Sequence, residues 1–389
     1  MPSLNFARAR RWPWLVVPIV LLVLLAGLLL VPGLFRSRAA GQAGHDREAG
    51  RNTDGLTPDD PLVLEGLAQD RAGQEDEPHA IPAVGRPGWS VKPFAPPAGT
   101  RRAASILEMR ALAFSPDGRW LASAGDDKKI RLWDAATRSE RAILDGHTEP
   151  VVSLAFAPDS KTLASASQEG NVRLWYVRAQ GPAERADLGA AGTAVAFAPD
   201  GRTLACANWF RVQLWDLTGP TPTPQRSILG ELGLLVGSVA FAPDGLTLAF
   251  GTSDGTVRLC DLSGNKEREQ LVLSGNANSS IAFSPDSRTL ATGHPDGMRL
   301  RDLTTADATV RAVLKGIGPG RAITFSPDGK SLAFAGADRA IHVWALDGAT
   351  PAPVAVFVGA GGVAAFAPDG KTLITGGSGM RLWSWQVSE

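Results

Sequence analysis

Cysteine and net charge are both scarce in this 389-residue chain. The two cysteines, Cys206 and Cys260, form no Cys-x-x-Cys pair and are too few for a disulfide framework. Each reads as a small buried hydrophobe, neither a ligand nor a nucleophile. The 39 basic side chains balance 39 acidic ones, which excludes the excess of Lys and Arg that a dominant nucleic-acid surface needs. His45, His79, His294 and His342 are scattered without metal-ligand spacing. Gly316-Ile-Gly-Pro-Gly320 has the glycines of a phosphate loop but lacks its Lys-Ser/Thr and a following helix. The Gly-rich loop and His-Arg-Asp motifs of a protein kinase are missing too. No catalytic residue, cofactor or metal ligand is therefore expected.

One long apolar run is present. Residues 14–35 carry no charge and are almost wholly apolar, and a membrane-spanning helix needs roughly 20 such residues. Trp12 and Trp14 suit an interfacial belt, and Pro13 and Pro18 fall in the first turns, where a missing N–H matters least. A cleaved signal peptide with its exit at Arg36–Ala40 is the rival reading, but the run exceeds the usual apolar core of such a segment. Arg8, Arg10 and Arg11 outnumber Arg36 and Arg38, which leans towards a cytoplasmic N-terminus and a chain body on the non-cytoplasmic side of the cell membrane. Residues 1–13 are then a short basic tail and 14–35 a signal anchor. Residues 36–88, where six arginines face ten acids, read as a disordered acidic linker rich in Pro and Gly.

From there the chain repeats. Phe-(Ser/Ala)-Pro-Asp-(Gly/Ser) begins at Phe114, Phe156, Phe197, Phe241, Phe283, Phe325 and Phe366, in steps of 41 to 44 residues. A fixed period near 40 marks a repeat architecture. Each copy reads as four short strands: an inner one ending in the Phe, a second of small residues such as Leu121-Ala-Ser-Ala-Gly125, a period-2 strand such as Ile130-Arg-Leu-Trp133, and an outer one such as Arg141-Ala-Ile-Leu144. Pro-Asp-(Gly/Ser) is the tight turn between the first two. Small side chains suit a second strand covered on both faces.

Trp133-Asp134, Trp215-Asp216 and Gly146-His147, set in this spacing, resemble the WD-repeat (tryptophan–aspartate) family, in a membrane-anchored, bacterial-type version. The resemblance covers about residues 105–389 and implies an all-β fold, a seven-bladed β-propeller of four-stranded antiparallel blades, here preceded by one transmembrane helix and the linker. Only four residues follow Trp385, so the last blade lacks its own outer strand. In the family an N-terminal segment commonly supplies it, and Trp89–Phe94 and Ala103–Leu107 are both candidates within a propeller spanning 89–389.

The resemblance also implies a buried hydrogen-bonded lock in each blade. Its positions in repeat two are His147, Ser165, Glu169 and Trp175, with Glu where the family has Asp. Asp127 with Trp133, and Asp338 with Trp344, keep parts of it. A Ser in mid-strand has no exposed nucleophile turn, so these residues read as structural, not hydrolytic. Asp117, Asp159, Asp200, Asp244, Asp286, Asp328 and Asp369 come from different blades and read as turn residues, not a cation cage.

Repeat three departs at one place. Where other turns hold Asp127, Asp254 or Asp338, it has Trp209-Phe210-Arg211, residue types enriched at binding hot spots. These three are the candidate partner-binding patch, against the plainer reading that Trp209 plugs a gap between blades. The function expected is that of a non-catalytic, membrane-tethered scaffold binding an unidentified protein or peptide and no nucleic acid. The alternatives are an enzyme or ligand sensor with its site at the channel mouth, and a sensor working with a separate signalling partner.

Overall fold

The structure is a computed structural model. It describes residues 80–82, 89–93 and 108–387, with interruptions at 179–180, 191, 209, 230–233, 265–267, 275–280, 296, 316–321, 359–360 and 378–379. All of them belong to one compact unit, Leu56–Glu389. The apolar run 14–35, most of the proposed linker and Ala103–Leu107 lie outside the described residues.

Every described element is a strand. Sheet one holds Met109–Phe114, Trp120–Gly125, Ile130–Asp134 and Ser139–Leu144. Sheet two holds Val151–Phe156, Thr162–Ser167, Asn171–Tyr176 and Ala183–Ala190. Sheet three holds Ala194–Phe197, Thr203–Asn208, Arg211–Asp216 and Thr223–Leu229. Sheets four (236–274), five (281–315) and six (323–357) repeat the order, and a closing sheet starts at Val363–Phe366.

The expected architecture needs correcting in its count of blades. There are six four-stranded antiparallel blades, not seven, because sheet six is five-stranded: Ala80–Pro82, expected in the linker, lies on its outer edge against Ala352–Phe357. Among the described residues there is also no helix, and so none long and apolar enough to cross a membrane.

The first strand of each sheet touches those of its neighbours, and Val363–Phe366 meets Met109–Phe114, so the ring is closed. The last sheet takes its outer strand from the N-terminal side. Trp89–Pro93 pairs antiparallel with Met380–Val387, Trp89 opposite Val387 and Pro93 opposite Trp383. This identifies which of the two candidate segments closes the ring.

The second strands are the most deeply placed. Trp120–Gly125 and Thr162–Ser167 are buried at every residue, as expected for Ala- and Ser-rich strands with sheets on both faces. Apolar side chains of successive sheets interleave between them. Ala122, Ile130 and Leu132 of sheet one pack with Val151, Leu163 and Trp175 of sheet two. Leu121 and Trp133 turn the other way, onto Ile374 of the closing sheet. Cys206 and Cys260 are both buried in these interfaces, and burial pushes the Cys206 thiol far above its ordinary range.

Candidate functional site

The Pro-Asp turns form a collar round one mouth of the ring. In every turn the aspartate accepts a hydrogen bond from the backbone N–H two residues on, at 2.7–3.0 Å: Asp117 from Arg119, Asp159 from Lys161, Asp200 from Arg202, Asp244 from Leu246, Asp286 from Arg288, Asp328 from Lys330 and Asp369 from Lys371. Where the repeat begins Phe-Ser, the serine also donates to the carboxylate, as Ser284 does to Asp286 at 2.5 Å, and these bonds hold Asp286 below the usual carboxylate range. The residue after each aspartate is left-handed, with φ near +70° at Gly118 and Gly201, a region open to Gly without a Cβ clash. Ser160 and Ser287 take the same conformation, and the hydroxyl of each accepts the backbone N–H of the preceding sheet's aspartate, Asp117 or Asp244, at 3.0 Å. At these two junctions the turns thus bind one another, and in every turn the carboxylate is engaged by backbone.

Against the turns of sheets one and two and the first strands of sheets two to four is an open, apolar cavity of about 430 Å³. Its lining includes Pro116, Pro158, Phe156, Phe197 and Phe241. It offers no converging acid, base or nucleophile. Among the described residues no group of three His, Cys, Asp or Glu side chains can hold a metal ion.

The lock positions of repeat two come together around one oxygen. Ser165 Oγ accepts the Trp175 indole N–H at 2.8 Å and lies 2.7 Å from His147 Nε2. Glu169 stays out. Its extra methylene carries the carboxylate to the Thr148 hydroxyl and to Ser167 Oγ at 3.1 Å, leaving it 3.9 Å from His147 Nδ1. That distance is too long for a hydrogen bond, and Nδ1 has no partner among the described residues. With the proton on Nδ1, beside that negative charge, Ser165 would donate to Nε2 while accepting from Trp175; with the proton on Nε2 it would accept from both and donate to the Arg173 carbonyl at 3.5 Å. Burial, followed by the charge of Arg173, pushes the His147 pKa below its ordinary value. Ser165 has no exposed surface, which denies it any role as a nucleophile.

Elsewhere the lock is dismantled. In sheet one Trp133 donates to Ser123 Oγ at 2.9 Å, but Asp127 pairs with Arg131 instead of joining them. In sheet six Phe334 occupies the serine position, and Asp338 bonds His342 Nε2 at 2.8 Å while the imidazole stacks on Phe334. Trp344 is only half buried there. In sheet three Cys206 replaces the serine, and the Trp215 N–H has no partner among the described residues. In sheet four the aromatic ring has moved strands, with Phe250 on the second and Cys260 on the third, a volume-conserving exchange.

The sequence reading missed the second position of the third strand. Arg131 and Arg258 are buried there, paired with Asp127 and, at 3.9 Å, with Asp254. His342 and Asp338 repeat the arrangement. The signal was an acid four residues before each of these side chains, in a turn where the family pattern drew attention to Trp instead.

Of the candidate patch, Trp209 lies outside the described residues. Asn208 and Arg211 pair across a two-residue hairpin tip that places Phe210 in solvent, 50 % exposed, with Arg211 exposed beside it. Leu235, at the entry to the next sheet, is another exposed large hydrophobic.

Comparison with known proteins follows the same outline. The sequence model of the IFT122 first β-propeller matches residues 108–386, well over half of the chain. Curated relatives match over single repeats: the general transcriptional corepressor TUP1 of Saccharomyces cerevisiae is 43% identical over 49 residues, 13% of this chain and 7% of that one. The Notchless protein homolog of Arabidopsis thaliana is 49% identical over 37 residues, 10% of this chain and 8% of that one. The U3 snoRNP-associated protein-like YAOH of Oryza sativa is 44% identical over 52 residues, 13% of this chain and 10% of that one. The matched stretch is thus a tenth or less of each of these relatives. Among solved structures, the Myceliophteria thermophila Cps50 (Swd1) β-propeller domain superposes with a TM-score of 0.61 at 18% identity, covering 73% of this chain and 99% of that one. At that identity the likeness is one of fold.

Proposed function

The chain belongs to the WD-repeat β-propeller family of the IFT122 first propeller, and from that premise we propose that it is a non-catalytic scaffold that holds a protein or peptide partner at a membrane. The observation that carries the binding reading is the tip of the hairpin in sheet three. Phe210 stands half in solvent where other sheets place an acid that satisfies turn backbone, and Arg211 is exposed beside it. An exposed aromatic next to a guanidinium is costly to leave in water and is the pairing that interfaces favour. We place Trp209 in the same patch on sequence alone. The non-catalytic reading rests on the cavity, whose apolar lining supplies none of the converging titratable groups that a reaction needs, and on the turn carboxylates nearby, which are bound to backbone.

The tether is residues 14–35, an uncharged run long enough to span a bilayer. The arginine excess before it puts the ring on the non-cytoplasmic side.

One experiment with two arms tests both parts. Proteins cross-linked to the full chain in intact cells are compared for wild type, Phe210→Ser/Arg211→Ser, and a deletion of 14–35. The patch variant should lose the partner at unchanged melting temperature, and undiminished capture removes the patch from the proposal. Alkaline carbonate should leave wild type in the membrane pellet and free the deletion variant. Release of wild type refutes the tether.

A further inference from the structure

An outer strand of a propeller blade is an open edge, with a row of N–H and C=O groups facing solvent, and such edges are commonly guarded by charge. The outer strands here follow that rule. Ser139–Leu144 carries Glu140 and Arg141, Ala183–Ala190 carries Glu184, Arg185 and Asp187, and Thr223–Leu229 carries Arg226. Arg268–Ser274 carries Arg268 and Glu269, Thr309–Lys315 carries Arg311 and Lys315, and Trp89–Pro93 carries Lys92.

Ala352–Phe357 is the exception, reading Ala-Pro-Val-Ala-Val-Phe with no charge. The difference is sharpest at the bulge. In sheets one to six the outer strand skips one residue at the same bulge in its pairing with the third, Arg141, Arg185, Gln225, Gln270, Arg311 and Val354, and in sheet two it has a second irregularity between Asp187 and Ala190. Five are polar, and the sixth is a valine whose side chain is buried in the core, on the strand without charge. This edge is also the one that carries a fifth strand. Ala80, Ile81 and Pro82 pair antiparallel with Phe357, Val356 and Ala355, which covers the half of the strand that Pro353 does not blunt.

We infer that the outer edge of Ala352–Phe357 is a self-association edge, held closed by Ala80–Pro82 and able to pair with the same edge of a second copy when that short strand lifts off. A second copy fits because its edge is equally free of charge. Two identical edges laid antiparallel about a two-fold axis satisfy both rows of backbone groups, and an interface of that symmetry closes at a dimer. The existing register shows that the edge accepts an antiparallel partner. Three residues make few ladder hydrogen bonds, so the covering strand is a weak cap.

Sedimentation of the full-length chain tests this, with wild type as the baseline mass. Deleting 80–82 should double the mass over a wide concentration range. Adding Val356→Lys, which puts a charge on the edge at a position that is half-buried, should restore the baseline. Should the deletion unfold the chain by circular dichroism, Ile81→Asp lifts the strand without shortening it and should give the same doubling. A folded chain at baseline mass in both variants overturns the inference, as does a doubled mass that Val356→Lys does not reverse. A chain that stays single but cross-links a different protein through Val356 assigns the edge to a heterologous strand, and that also overturns it.

Discussion

Sheets two and three are neighbours built from the same repeat, yet they are held internally by different means. In sheet two the Trp175 indole, Ser165 and His147 converge on one buried oxygen. Sheet three has Cys206 for the serine, Gln213 for the arginine and an indole N–H on Trp215 without a partner among the described residues. Gln213 turns to backbone instead, donating to the Leu214 and Arg226 carbonyls at 2.9 Å. Both sheets nevertheless keep the same four-strand ladder and the same Pro-Asp turn. The polar lock is thus dispensable for forming a blade: apolar interleaving and backbone pairing suffice. What the lock adds is local stability, and its absence frees the hairpin tip of sheet three to carry Phe210 and Arg211 in place of a turn-satisfying acid.

The strongest way to break the comparison is Ser165→Ala. It leaves the Trp175 N–H and the His147 ring buried with no shared partner, and a buried unsatisfied donor costs roughly 1–3 kcal/mol. We expect about 2–3 kcal/mol lost in denaturant unfolding. Cys206→Ala, the matching change in sheet three, has no hydrogen bond to remove and should cost about 1 kcal/mol, the burial of one small apolar group. Equal losses at the two sites would mean that the lock contributes nothing beyond packing.

These two sheets also mark how far the chain could be read in advance. The Pro-Asp turns, the small-residue second strands and closure by a segment from the N-terminal side were legible, because each follows from a pattern repeated at fixed spacing or from a strand that repetition requires; that the segment is Trp89–Pro93 was not. The Ser165–Trp175 contact was legible through family resemblance. The place of Glu169 was not, because one extra methylene moved its carboxylate onto Thr148 and Ser167. Ala80–Pro82 was not legible either: three residues with no alternation, in a region of linker composition, pair with the outer strand Ala352–Phe357, a long-range partner that no local pattern announces. The five-stranded sheet followed from that, and so did the correction to the expected ring.

Acid should separate the sheets next. The pKa of His147 in the folded chain lies below its ordinary value, chiefly through burial and then through Arg173, against the opposing pull of Glu169 and Asp187. The unfolded chain therefore binds a proton more readily than the folded one. The stability that neutral His147 contributes is complete above the unfolded pKa near 6.5 and is lost as pH falls through the folded pKa. In melting curves taken from pH 7.5 downwards, wild type should lose more than His147→Gln. Parallel curves for the two proteins would rule out this titration. Sheet three has no equivalent histidine and adds nothing to the effect.

The smallest effect should come from rebuilding the lock where it is missing. Cys206 and Trp215 occupy the positions held in sheet two by Ser165 and Trp175, with Cys206 opposite Gln213 and Leu204 opposite Trp215 as Ser165 is opposite Arg173 and Leu163 opposite Trp175. A hydroxyl at 206 would start on the same backbone as Ser165 and needs only a similar rotamer to reach the indole N–H. The thiol is a weak acceptor, so the indole currently bears most of its desolvation cost. Replacing sulfur by oxygen removes some apolar burial but supplies a neutral hydrogen bond, for a net gain of about 0.5–1.5 kcal/mol. Cys206→Ser should therefore raise the melting temperature slightly, where a buried Cys-to-Ser change without a waiting donor would lower it. The sign decides the matter. A fall would show that Trp215 in sheet three is turned away from position 206 and that the lock there is lost in geometry as well as in chemistry.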